Sequence, residues 1–151
     1  MYPMPHLVEI EISEMRKRLR AAIDKSRRAA ESRRAQMDAA SAAYARFLEA
    51  MAGPLVQMLA NALRAEGYPF TVFTPKGGLR LGSAKSGEDF VEFALDSSQP
   101  EPVVLLRVNR ARGRRVMQHD RPVREHTPVE RLTEEDVIGA LLEEIGPFVE
   151  R

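Results

Sequence analysis

Few side chains of this 151-residue sequence are placed to do covalent chemistry. His119, Asp120 and His126 could offer nitrogen and oxygen ligands to a metal ion, but their spacing matches no established ligand pattern. His6 stands by itself. Lys76-Gly77-Gly78 and the stretch from Gly82 to Gly87 bring glycine amides near a lysine, as in an anion cradle. The closing Gly-Lys-Ser/Thr of a phosphate loop is missing, so plain turns are expected there. Glu88-Asp89 with Glu92, and Glu134-Glu135-Asp136, would do acid–base work only if burial drove their pKa values apart. The first group falls at a turn, and the second suits the positive end of a helix. There is no cysteine, which removes thiol nucleophiles, thiolate metal sites and disulfides together. No nucleophile elbow, Ser/His/Asp order or zinc-protease helix is present. The expectation is therefore no catalytic residue, no cofactor, no metal and no small-molecule substrate, with an enzyme built on an unrecognised site as a distant alternative.

The arginines make a stronger case. Arg107, Arg110, Arg112, Arg114 and Arg115 form a short basic run whose guanidinium groups can engage phosphates or an acidic partner. Two plainer explanations compete with that one. Arginine outnumbers lysine 19 to 4 in the whole chain, so a general preference for arginine accounts for some clustering. Charged residues also shield exposed strand edges from aggregation. Few aromatic residues are interleaved with the run, which favours phosphate contact over base stacking. Net charge is only +1, but it is segregated. Residues 16–34 hold nine Lys/Arg against two acids, residues 107–124 seven arginines against one acid, and residues 125–151 eight acids against two arginines.

The elements that carry these groups follow from periodicity. From Ser13 to Ala52 there is no Gly or Pro and much alanine, which predicts one long helix. Ile12, Met15, Leu19, Ala22, Ser26 and Ala29, then Met37, Ala40, Tyr44, Phe47 and Met51, recur at alternating three and four spacing, a coiled-coil-like seam. Arg33 interrupts it and marks a local stutter. A helix of about 40 residues extends roughly 60 Å, too far for a small body to cover, so the seam is expected to meet a second copy or another protein subunit. Gly53-Pro54 breaks the pattern and opens a short second helix carrying Leu55, Met58, Leu59, Ala62 and Leu63, which stops at Gly67.

Beyond Tyr68-Pro69 the period becomes two. Phe70–Thr74 and Leu79–Leu81 predict a hairpin, and Phe90–Leu95 and Val103–Val108 the central strands. Asn109–Arg115 reads as a turn, followed by weaker strands at Val116–His119 and Val123–His126. Thr133-Glu-Glu-Asp136 is a capping start for a closing helix that should end or bend at Gly146-Pro147. Leu7–Ile12 alternates and leans towards an edge strand. The fold class is α+β: a long helix, a short helix, an antiparallel meander of four or five strands, and a C-terminal helix packed on the sheet. Residues 1–66 form a helical segment and 67–151 a small α+β domain. The longest aliphatic run, Val103–Leu106, is far short of the roughly 20 residues of a membrane span. No export signal is visible, so a cytoplasmic protein is expected. The leading functional expectation is an assembly protein that self-associates, as a homodimer, or binds a partner through its N-terminal helix. Nucleic-acid binding through residues 16–34 and 107–124 is the alternative.

Overall fold

The computed structural model describes residues 8–150. Three α-helices and five strands follow in the order α1 (Ile12–Phe47), α2 (Gly53–Ala65), β1 (Phe70–Phe73), β2 (Arg80–Ser83), β3 (Phe90–Asp96), β4 (Val103–Arg112), β5 (Arg115–Pro122) and α3 (Glu134–Val149). This is the expected α+β class. The chain divides into two compact units, residues 1–36 and 37–151. The division falls inside α1, earlier than the composition boundary at 66/67, because the end of α1 and all of α2 contribute to the core of the second unit. His6 and Leu7 lie outside the described residues. The strand expected over residues 7–12 does not form in the part that is described: Val8–Glu11 is irregular, and Ile12 opens α1. Val8 is exposed, so an apolar alternation there had no layer to pack on.

Between α1 and α2 the helix passes through one π turn, Leu48–Ala52. The Gly53 amide donates to the Leu48 carbonyl, five residues back. Proline explains the widened turn, since Pro54 has no N–H and its ring would collide with the carbonyl four residues before it. Glycine explains how it closes: a Cβ on Gly53 would sit 2.7 Å from the Leu48 oxygen. The expected interruption is thus a bulge rather than a break.

The five strands form one antiparallel sheet in sequence order. Its register places Phe70, Leu81, Val91, Phe93, Val104, Leu106 and Val108 on one face, all buried, where α2, α3 and the end of α1 meet it. Phe47 meets Phe93 edge to face, with ring centroids 5.9 Å apart, and Phe70 meets Phe148 in the same way at 6.0 Å. The largest differences from expectation lie in and after β4. β4 runs through to Arg112 and β5 from Arg115 to Pro122, so the supposed turn at Asn109–Arg115 shrinks to Gly113-Arg114. Gly113 takes φ 60°, as the first central residue of a two-residue hairpin turn requires. Val123–His126 is not a strand; its extension of the sheet is limited to the Val123 amide on the Val104 carbonyl and a Val103–Pro128 bridge.

α3 begins with the expected capping box. The Thr133 hydroxyl accepts from the Asp136 amide at 3.2 Å, and the Asp136 carboxylate accepts from the Thr133 amide at 3.0 Å. That amide, more than any other group, holds the Asp136 carboxyl below its ordinary pKa. The helix continues through Gly146-Pro147 to Val149, because a proline in the last turn forfeits only one hydrogen bond. Among the described residues, no helix is long and apolar enough to cross a membrane.

Candidate functional site

The seam of α1 divides in two. Ile12, Met15 and Leu19 are 76, 52 and 55% exposed, Ile23 and Met37 both 39%, and no residue from Glu11 to Ala39 is buried. Ala22 and Ala29 are exposed with them, and Ala40 is half-buried. Further on the same spacing turns inward. Phe47 is buried, and Tyr44 and Met51 pack against the core of their own chain. The expectation of one continuous partner-facing seam is corrected accordingly: Tyr44, Phe47 and Met51 are covered within the chain, and the open part runs from Ile12 to about Ala40.

The flanks of the open part follow from helical geometry. With Ile12 and Met15 as the first two seam positions, the heptad neighbours on one side are Glu11, Arg18 and Lys25, and on the other Arg16, Ile23 and Ala30. Lys17, Arg20, Arg27, Arg28 and Arg34 fall on positions away from the seam. The basic charge of this segment therefore sits mostly behind the apolar stripe.

In the second unit, the β4–β5 hairpin sorts the arginine run by face. Arg110, Arg112 and Arg115 share a face with Met117, His119 and Arg121. Arg107 is on the opposite face, paired with Asp120 at 3.6 Å, so the structure separates it from the other candidates. Nearer the base of the hairpin the charges are matched by α3: His119 lies 2.9 Å from Glu144, and Arg121 binds Glu143 and Glu144. Towards the tip they are not. Arg112 and Arg115 stand directly opposite each other across the strands, Arg114 occupies the turn, and none of the three has an ion pair or a side-chain hydrogen bond among the described residues. Arg110 leans on the Met117 sulfur at 3.8 Å.

His119, Asp120 and His126 are not brought together. His119 and Asp120 point to opposite faces of β5, while His126 lines a separate depression of about 350 Å³ with Asp96, Glu101 and Glu125. Among the described residues no group of three or more His, Asp or Glu could hold a metal ion. Lys76, with φ 48°, and Gly77 form a tight turn, and the Ser83–Asp89 segment closes on itself through the Ser83 amide to the Asp89 carbonyl at 2.8 Å.

Sequence reasoning missed the polar face of the sheet. Asn109 is buried there; its amide donates to the Glu88 carbonyl and its oxygen accepts from Gln118 at 2.6 Å. Arg80 pairs with Glu92 at 3.1 Å and stacks over the Phe90 ring at 3.9 Å. Phe90, Glu92, Asn109 and Gln118, together with Arg107 and Asp120, line an open groove of about 330 Å³. Strict alternation of Arg107 and Asn109 with Leu106 and Val108 was the available signal, obscured because Asn109 looked like a turn residue. Burial pushes the Tyr44 phenol up to about 12, with the Glu92 charge adding to the effect and Arg107 opposing it.

Comparisons with protein-family models, with curated proteins and with solved structures find no match. Function must therefore be argued from these surfaces alone.

Proposed function

We propose that this is a non-enzymatic assembly protein in which the open seam of α1 pairs with the same seam of a second copy. One observation carries the reading: a helix with Ile12, Met15, Leu19, Ile23 and Met37 along one stripe buries no residue from Glu11 to Ala39. Helices in proteins draw little stability from propensity, and most of it from covering an apolar face. Removing those side chains from water offers about 25 cal/mol per Å² of apolar surface. The flanks favour a parallel pair. In that orientation each flanking residue meets the residue five positions on in its partner, giving Glu11 with Arg16, Arg18 with Ile23 and Lys25 with Ala30, and no like charges. An antiparallel pair that overlays the same seam would set Arg18 against Lys25 twice. Arg33, on the seam itself, would face its own copy and marks the end of the paired stretch. So short a seam, with Ala22, Ser26 and Ala29 at its centre, gives a weak dimer in the micromolar range. The absence of cysteine supports a cytoplasmic setting.

Sedimentation velocity across a concentration series tests this. The expected result is a shift from a 17.0 kDa monomer towards twice that mass, lost in the double variant Met15→Glu, Leu19→Glu while the second unit stays folded. A wild-type chain that remains monomeric at every concentration with residues 12–36 fully helical would overturn the pairing.

A further inference from the structure

The tip of the β4–β5 hairpin differs from the rest of the sheet in being only two strands wide. Pairing of β4 with β3 ends at Phe90–Asn109, so the rungs Arg110–Met117, Ala111–Val116 and Arg112–Arg115 have no third strand beside them. The Ala111 amide, which a third strand would have engaged, donates instead to the Asp89 carboxylate at 2.8 Å. Arg110, Arg112, Arg114 and Arg115 crowd this ribbon, and its residues from Arg110 to His119 include no acid. Arg112 and Arg115 face each other directly, a juxtaposition that costs stability in a free hairpin. An anion placed over that face would turn the repulsion into binding energy.

We propose that the hairpin tip binds the phosphate backbone of a nucleic-acid duplex. A two-stranded β-ribbon has the width that a major groove admits, and guanidinium groups engage phosphates bidentately. Met117, exposed on the same face as Arg110, Arg112 and Arg115, adds apolar contact beside the arginines. No aromatic residue lies between Arg110 and His119, so the ribbon lacks the stacking platforms that hold single strands. Base identity is left unread, because phosphate contacts position a protein without specifying sequence.

The test uses the full chain and a short mixed-sequence duplex, with binding followed by fluorescence anisotropy over a salt series. Each phosphate neutralised contributes about −0.9 to the slope of log affinity against log salt, so four arginines supply about −3.6. The triple variant Arg112→Gln, Arg114→Gln, Arg115→Gln should lose about 2.7 of that slope. Its melting temperature should equal or exceed that of the wild type, since the opposed pair is relieved. Taking the difference between the two proteins cancels any contribution from the basic residues of α1. Repeating it in the Met15→Glu, Leu19→Glu background separates the result from helix pairing. Failure of the wild type to bind at low salt, an unchanged slope in the triple variant, or tighter binding to single strands or to an acidic polypeptide than to the duplex would each overturn the proposal.

Discussion

The two halves of α1 carry the same three-and-four spacing and end in opposite environments. Between Ile12 and Gln36 nothing is buried; between Met37 and Phe47 the stripe closes over Ala43 and Phe47 and leads into a core containing Ala52, Val56 and Ala60. The side chains account for the difference. The outer half offers Ile12, Met15, Leu19, Ala22, Ser26 and Ala29, aliphatic or small groups with no aromatic ring among them. The inner half offers Tyr44 and Phe47, with Leu48 following in the π turn, large groups that anchor a helix to a sheet. Spacing establishes that a seam exists, and residue size decides whether a neighbouring layer of the same chain can hold it.

The sharpest way to break this contrast is to truncate one seam residue from each half. Phe47→Ala removes a buried ring that touches both Tyr44 and Phe93 and should cost about 3 to 5 kcal/mol in urea unfolding of the second unit. Leu19→Ala, at an equivalent seam position, should leave that unfolding within about 0.5 kcal/mol of wild type and weaken association instead. Equal losses from both variants would show that the two halves unfold as one cooperative structure.

A smaller effect is expected at Gly53, on the joint that carries the inner half of α1 into α2. Its missing Cβ is what allows the Leu48 carbonyl to approach, and the atom in the way is backbone, which cannot swing aside. Gly53→Ala should therefore destabilise the second unit by about 1 to 3 kcal/mol despite alanine's higher helix propensity. A stabilised Gly53→Ala protein would mean that the π turn relaxes to ordinary helix at no cost, and that Pro54 does not dictate it.

Much of this architecture was legible because local signals agreed with tertiary packing. The unbroken alanine-rich stretch, the Thr133–Asp136 capping box and the change of period at Tyr68-Pro69 each have a cause within a few residues. The β4–β5 hairpin was shortened in the sequence reading because Asn109, Arg110, Arg112 and Gly113 resemble a loop. Only the cross-strand register and the Asn109 bonds to Glu88 and Gln118 make a strand of them. The arginine run was visible as composition, but its division by face was not, since Arg107 leaves the group through a pairing with Asp120 that depends on register. In the seam, nothing in the periodicity distinguished Met15 from Phe47; that took the layer against which Phe47 packs.

The smallest change expected is in pH dependence, and it probes the inner half of α1 at Tyr44. The phenol's pKa is raised from 10.0 to about 12, chiefly by burial, so the folded chain holds this proton more tightly than the unfolded chain does. Its contribution to stability is complete below pH 10 and declines as pH climbs from there towards 12, where ionisation would place a charge in the core edge near Glu92. Tyr44→Phe has no proton to lose, so the stability difference between wild type and variant should shift in favour of the variant between pH 9 and pH 11. No other side chain differs between the two proteins, so the comparison isolates Tyr44. Urea midpoints for the two proteins that run parallel across that interval would place Tyr44 in solvent, and with it the point where the seam of α1 turns inward.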